Sequence, residues 1–311
     1  MNPAFSVVLF TVVTGVAQGL VVALALAVLV GIPMSADLLS HGLIGVVGLL
    51  VTGLGASFAH LGRPERAWRA VTKWRTSWLS REVIVLPICI ATLGLWWIGL
   101  HRSNDTIFVR RVMPLAALVA VVSLWYCTAM IYACLRFIEE WAHPLTLVNF
   151  VLIGLSSGFI LACTLAALAG EQAFLAMSGP VAIALTLMAW ASRMMAFRRN
   201  ARIRHRSTLQ TATGIRSTRV VQTSMGMSAG SFNTREFFHR ASPLAFRCVW
   251  LSAICLAFVA PALAMSFAWF GPYNVGWVAA FVIQMPGLVA DRWYFFAQAK
   301  HPQNLYYQVV S

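Results

Sequence analysis

The run Phe5–Val30, FSVVLFTVVTGVAQGLVVALALAVLV, decides the fold class. It carries no charged residue, and Gln18 is its deepest polar group. A bilayer's hydrocarbon core, about 30 Å thick, is crossed by about 20 apolar residues of helix. The run is long enough, and it shows no strand alternation. In lipid its backbone groups must be satisfied within the segment, which requires a helix. No basic segment precedes it, and it exceeds the apolar core of a secretion signal, so it is expected to stay uncleaved.

Seven more such runs follow: Leu39–Leu61, Val83–Leu100, Val112–Leu135, Leu145–Ala169, Val181–Phe197, Leu244–Phe270 and Val275–Ala297. The expected fold is all-α, a polytopic bundle of eight transmembrane helices forming one integral membrane domain over residues 1–311. Composition agrees. Of 311 residues, 60% are hydrophobic and 10% charged, where a soluble domain carries about a quarter charged. Gly15/Gly19 and Gly154/Gly158 are small-xxx-small pairs that let helices approach closely. The six cysteines all fall inside spans with no CxxC, so they are read as packing residues, and no metal site is expected.

The net charge of +14 comes from 23 Lys and Arg against 9 Asp and Glu. Eight spans put both termini on one face with the second, fourth and sixth loops. That face collects 20 of the basic residues; the other has Arg102, Arg110 and Arg111. The positive-inside rule makes the basic face cytoplasmic, as expected for a bacterial inner-membrane protein with both termini inside. The charge therefore reads as topology and lipid or partner contact, and no nucleic-acid motif accompanies it.

Three segments carry motifs. The loop 62–82 lies within HLGRPERAWRAVTKWRTSWLSREV, His60 to Val83. Pro64 is placed to open a helix, and Trp68, Val71, Trp74 and Trp78 recur at three- and four-residue steps among Arg66, Arg69, Lys73 and Arg75. That pattern predicts a basic amphipathic helix at the membrane surface. Ser80 is expected to cap the third span, with Glu82 in its first turn. The long loop 198–243 opens on the basic run RRNARIRHR and turns into QTSMGMSAGSFNTREFFH, Gln222 to His239; its phenylalanines predict an ordered loop that docks on something. The last span ends ADRWYFFAQAKHPQNLYYQ, where Asp291 and Arg292 lie inside an apolar stretch. Ionisable residues there face the bundle or a cavity, as a structural pair or as part of a site.

These motifs resemble the membrane anchor subunits of the dimethyl sulfoxide reductase (DmsC) type, within the wider NrfD-like group. The resemblance spans nearly the whole chain: NPAFSVVLFT, HLGRPERAW with SWLSRE, the Gln222–His239 loop and the tail. The last two look most like the SoeC-type anchors of cytoplasmic sulfite dehydrogenases, although Asp291 stands where such relatives carry Glu. The resemblance implies a complex of three subunits. A molybdenum bis-guanine-dinucleotide (molybdopterin) subunit performs the substrate chemistry, an iron–sulfur subunit with [4Fe-4S] clusters carries electrons, and this chain binds ubiquinone or menaquinone without haem. It also points to His60 as a quinone-site residue.

A quinone needs hydrogen bonds to two carbonyls and a proton route near one membrane face. An imidazole at a span end suits proton exchange near neutral pH; Arg81 or Arg292 can stabilise charge on the reduced ring, and Asp291 can relay protons. Arg63, Arg66, Arg69, Lys73, Arg75, Phe232 and Arg235 are the expected docking residues for the partner subunits. The leading expectation is a sulfite-oxidising, quinone-reducing complex. The alternatives are a quinol-oxidising anchor for dimethyl sulfoxide, tetrathionate or polysulfide reduction, and a secondary transporter.

Overall fold

The computed structural model describes residues 1–59, 61, 63–102, 106–224, 234, 237–239, 241–271 and 274–306. In chain order these form α1 (Phe5–Val30), α2 (Ala36–Phe58), a 3₁₀ helix (Pro64–Lys73), α3 (Trp78–Arg102), α4 (Phe108–Ala133), α5 (Pro144–Ala169), α6 (Gln172–Ala201), the short α7 (Leu209–Thr213), α8 (Pro243–Phe270), α9 (Val275–Ala297) and a 3₁₀ turn (Pro302–Tyr306). Among the described residues there is no strand. Seven helices among the described residues, α1 to α6 and α8, are long and apolar enough to cross a membrane. The eighth expected span, α9, is a helix of 23 residues packed into the same bundle; it carries Gln284, Asp291 and Arg292 and is not among the seven.

Local chemistry sets the helix ends. Gly31 (φ +80°) and Gly170 (φ +75°) close α1 and α5 in the left-handed conformation that glycine adopts without strain. The Ser35 and Ser242 hydroxyls accept from the amides of Leu38 in α2 and Ala245 in α8, and proline opens both α5 and α8. Two expected boundaries move. The cap of α3 is Ser77, which accepts from the Ser80 amide at 3.3 Å, while Ser80 and Glu82 are buried. Helix α6 starts at Gln172, not Val181, and takes Pro180 into its interior, which neighbouring helices allow in a membrane bundle.

Helices α1 and α5 form the centre, where Gly15 and Gly19 meet Gly154 and Gly158. A Cβ added at Gly19 would overlap the Gly154 carbonyl, and one at Gly158 would overlap the Gly19 backbone. Around this contact α2 packs on α1, α4 on α1 and α3, and α6 on α5; α9 packs on α5 and α8. Residues Cys255–Val259 widen α8 by one π turn. Gly287 of α9 presses against that turn, and Gln284 donates to the Ala257 carbonyl at 3.1 Å, so the group displaced from the helical ladder finds a partner.

Long-range contacts identify the two ends. At one, the Met1 amine donates to the Ala297 and Ala299 carbonyls, Trp141 Nε1 donates to the Phe295 carbonyl, and Phe197 meets Trp250 and Tyr294. At the other, Arg111 donates to the Leu29 carbonyl, Trp97 to Ser40, and the Ser35 amide to Glu171. The first end also receives the 3₁₀ helix and the loop after α6; it is the basic end.

Candidate functional site

Buried ionisable side chains concentrate at the basic end, in two groups. The first lies between α5, α6 and α9. Arg193 donates through Nε to Asp291 Oδ1 at 2.5 Å and through Nη2 to the Asp291 carbonyl at 3.3 Å. Arg193 is 3% exposed and Asp291 1%. Arg292, also buried, places its guanidinium carbon 3.8 Å from the Phe150 ring centroid. Asp291 is thus paired across helices with Arg193, while its chain neighbour Arg292 turns to an aromatic face. Asp291 Oδ2 has no hydrogen-bond partner among the described residues. A buried carboxylate in lipid requires a partner such as Arg193, and one that keeps a free oxygen can take part in proton exchange.

The second group sits one helix turn into α3. The Glu82 carboxyl is 4% exposed and accepts from Thr128 Oγ1 of α4. Sequence reading takes Glu82 as a favourable first-turn charge; the structure buries it because α3 begins earlier and turns that face onto α4. Between the two groups lies an aromatic cluster. Tyr132, one turn after Thr128, packs on Trp141, Phe150, Phe295 and Phe296 with ring centroids 5.3–5.7 Å apart.

Of the expected quinone residues, the structure brings Asp291 and Arg292 together in the first group. Arg81 lies in the first turn of α3. It stacks at 4.0 Å on Trp78 and donates to the Trp74 and Arg75 carbonyls, so it braces the loop onto the start of α3. His60 lies outside the described residues. The docking candidates Arg63, Arg66, Arg69, Lys73 and Arg75 line the same segment, with Arg69 over Trp68 and Arg75 over Trp74. Phe232 and Arg235 also lie outside the described residues. The predicted amphipathic segment is a 3₁₀ helix, which has three residues per turn. Trp68, Val71 and Trp74 therefore share one edge, all exposed, and Trp78 belongs to α3.

Arg193 is the residue sequence reading misses. It counts there among the basic residues of the face, yet it sits in α6 and neutralises Asp291. The signal was its position inside an apolar run. Glu140, Asn149 and Gln298 lie beside the pair, each with one buried polar atom lacking a partner among the described residues.

A larger cleft of about 1530 Å³ opens beside this group, walled by Phe197, Phe237, Phe246, Tyr294, His239 and His301. The Phe237 and His301 rings stack at 4.1 Å and the His239 and Phe246 rings at 5.0 Å. Burial, reinforced by the nearby Met1 ammonium, lowers the pKa of His239 and His301. Burial, then Arg199, also lowers that of His143, whose Nδ1 accepts from the Leu145 amide at the start of α5. All three imidazoles are thereby held toward the neutral form, which can both donate and accept a hydrogen bond. Among the described residues no cluster of three or more His, Cys, Asp or Glu is arranged to hold a metal ion.

Comparison with known proteins agrees with the architecture. The chain is 45% identical to a sulfite dehydrogenase subunit of Allochromatium vinosum, over the whole of both chains. It is 29% identical to the YnfH chain of the anaerobic dimethyl sulfoxide reductase of Escherichia coli K12, over 38% of this chain and 41% of that one. The family model for the DMSO reductase anchor subunit (DmsC) matches residues 1–264. This multi-pass membrane protein belongs to the DMSO reductase anchor subunit (DmsC) family.

Proposed function

We propose that the chain is the quinone-binding anchor of a molybdenum and iron–sulfur complex, passing electrons from the iron–sulfur subunit to membrane quinone during the oxidation of sulfite to sulfate. The full-length similarity to a sulfite dehydrogenase subunit supports the substrate. One observation carries the quinone assignment. The buried Glu82, Arg193, Asp291 and Arg292 all lie at the basic end of their helices, the end that bears the HLGRP and SWLSRE motifs. Charged groups inside a membrane bundle are expensive and mark ion, proton or substrate sites, and here they share the face that partner subunits would approach.

The basic face is read as cytoplasmic and α9 as the eighth crossing, so both termini are inside. Arg63, Arg66, Arg69, Lys73 and Arg75, with Phe232 and Arg235 of the long loop, form the docking surface for the two partner subunits. A quinone accepts two electrons and two protons. In the sequence His60 ends the second expected span and Arg81 precedes the third, and the neutral form of an imidazole suits hydrogen bonding to a quinone carbonyl. Glu82, one residue beyond Arg81, adds a buried carboxyl to that set. Asp291 and Arg292 form the inner part, where a carboxylate with one free oxygen can hold a proton and a guanidinium balances charge.

The test is quinone-linked sulfite turnover of the whole complex, all three subunits together, in membranes. His60→Ala is expected to abolish most quinone reduction while an artificial electron acceptor still supports sulfite oxidation. Full quinone-linked turnover in a normally assembled His60→Ala complex would remove His60 from the site.

A further inference from the structure

Three helices carry polar residues in register. Asn149 and Ser156 of α5, Thr186, Arg193 and Asn200 of α6, and Gln284, Asp291 and Gln298 on α9 and its C-cap recur at seven-residue steps. Seven residues are about two turns, so each set lies on one stripe of its helix, about 10 Å between layers. The stripes face one seam. In the deepest layer Gln284 donates to Ser156 at 3.1 Å, and Ser156 meets Thr186 at 2.8 Å. The Arg193–Asp291 pair forms the middle layer. Asn149, one step from Ser156, is level with that pair; together with Asn200 and Gln298 of the outer layer, Glu140 and Arg292, it lines a small cavity.

That cavity is about 10 Å³, close to the room one water needs. Its walls carry three buried polar atoms without a partner among the described residues: Asn149 Oδ1, Glu140 Oε2 and Gln298 Nε2. Arg193 and Arg292 also line it. Two acceptors and a donor around a water-sized space are the partners that a buried water takes. Glu140, Asn200 and Gln298 are shared with the wall of the large cleft, so the cavity has an aqueous neighbour. On the inner side, Arg193 leads to Asp291, whose Oδ2 is unpartnered among the described residues.

The seam closes below that point. Between the middle and deepest layers each helix contributes one apolar residue, Ile153, Ala189 and Leu288. All are buried in one hydrophobic cluster.

We propose that the seam of α5, α6 and α9 is a hydrated proton path that runs from the cleft at the basic end to the Asp291 carboxyl and stops there, plugged by Ile153, Ala189 and Leu288. Water in the cavity links Glu140 and Gln298 to Asn149, the two arginines act as fixed charges and not as carriers, and the unpartnered Asp291 Oδ2 exchanges protons with that side of the membrane only. What the protons are used for rests on the quinone reading; the path itself does not.

Hydroxyl-radical footprinting of the intact complex in nanodiscs tests the path directly, since radiolysis of bound water labels buried side chains beside it. Phe150 and Leu145, which line the cavity, are expected to be labelled, with Ile153 and Leu288 protected. Asn149→Leu and, as a second variant, Gln298→Leu should lower the Phe150 labelling several-fold. Unlabelled Phe150 and Leu145 in the unsubstituted complex would overturn the proposal. So would labelling of Ile153 and Leu288 to the same extent, which would mean a continuous channel. In turnover assays, Gln298→Leu should slow quinone reduction several-fold, enlarge the solvent deuterium effect and leave the KM for quinone unchanged. A rate and isotope effect equal to the unsubstituted complex would count against the path. Absence of quinone turnover in the unsubstituted complex would refute the functional reading instead, and the footprint would still decide the path.

Discussion

Asp291 is where residue-scale energetics bear most directly on function. Removing one partner of a buried ion pair leaves an unpaired charge, at a cost of about 3–5 kcal/mol, whereas replacing both with apolar groups of similar size is often neutral. Arg193 and Asp291 are both almost wholly buried. Asp291→Ala alone is therefore expected to depress the yield and melting temperature of the purified complex strongly. Arg193→Met with Asp291→Leu should restore much of that stability. The double variant should still fail in quinone-linked turnover, since the carboxyl is gone. Recovery of turnover along with stability would make the pair structural only. The asymmetry between Asp291 and Arg193 in the sequence is instructive. An acid in the middle of FVIQMPGLVADRWYFF stands out against its neighbours, while Arg193 merges with the basic run that follows it. Its partner lies 98 residues away, and no local pattern announces a pairing of that kind.

At the scale of elements, substitutions sort by distance from the central crossing. Gly158 and Gly19 allow α1 and α5 to touch backbone to backbone, and any side chain there overlaps the other helix. Overpacking of this sort costs typically about 1–3 kcal/mol for a small group, and more where backbone must move. Gly158→Leu is expected to prevent assembly and Gly158→Ala to lower the melting temperature. Gly45→Ala, where an added Cβ meets nothing within 4 Å, should leave it unchanged or slightly raised, since alanine favours helix. Detergent melting curves on the three variants would check the ranking. The long loop and tail make a second, pH-dependent element. His239 and His301 stack on Phe246 and Phe237 with their pKa lowered from about 6.5. A histidine whose folded pKa is depressed contributes stability that is present above its unfolded pKa and lost as pH falls through the folded one. Docking of Phe237 onto His301 should therefore loosen as pH drops below about 6.5. Proteolysis within 237–306 should accelerate on acidification, and His301→Phe should remove that tail contact's share of the acceleration. An acid-independent cleavage rate would show that the stack does not hold the loop.

For the molecule as a whole, the runs of apolar residues were enough to read a helical membrane bundle, because lipid permits so few backbone solutions. The glycine pairs were legible too, since small residues at four-residue spacing let helices approach closely in such a bundle. Ends were less legible: the true start of α6 lies within a run containing Pro180, which by soluble-protein rules should begin a helix and not interrupt one. The site was legible only in part, because Asp291 and Arg292 are conspicuous while the seam that holds them is made from three separate helices. Direction across the membrane is set at this scale. Of the 20 basic residues assigned to one face, Arg193 and Arg292 are buried in the bundle; the excess over the three on the other face persists without them. By the positive-inside rule that excess favours a cytoplasmic basic end whether or not α9 crosses, but the position of the C-terminus depends on α9. With α9 as a crossing, the C-terminus joins the basic end; without it, the tail would lie on the opposite face. The Met1 amine bonds to the carbonyls of Ala297 and Ala299, and Trp141 bonds to that of Phe295, so the end of α9 packs among the basic-end elements. A fluorescent protein fused after residue 306 is therefore expected to mature in the cytoplasm, and alkaline phosphatase at the same point to stay inactive. Phosphatase fused after Gly271, between α8 and α9, should be active. Activity of the phosphatase at residue 306 would leave α9 on the surface and remove Asp291 from the membrane interior, and with it the functional reading built on that residue.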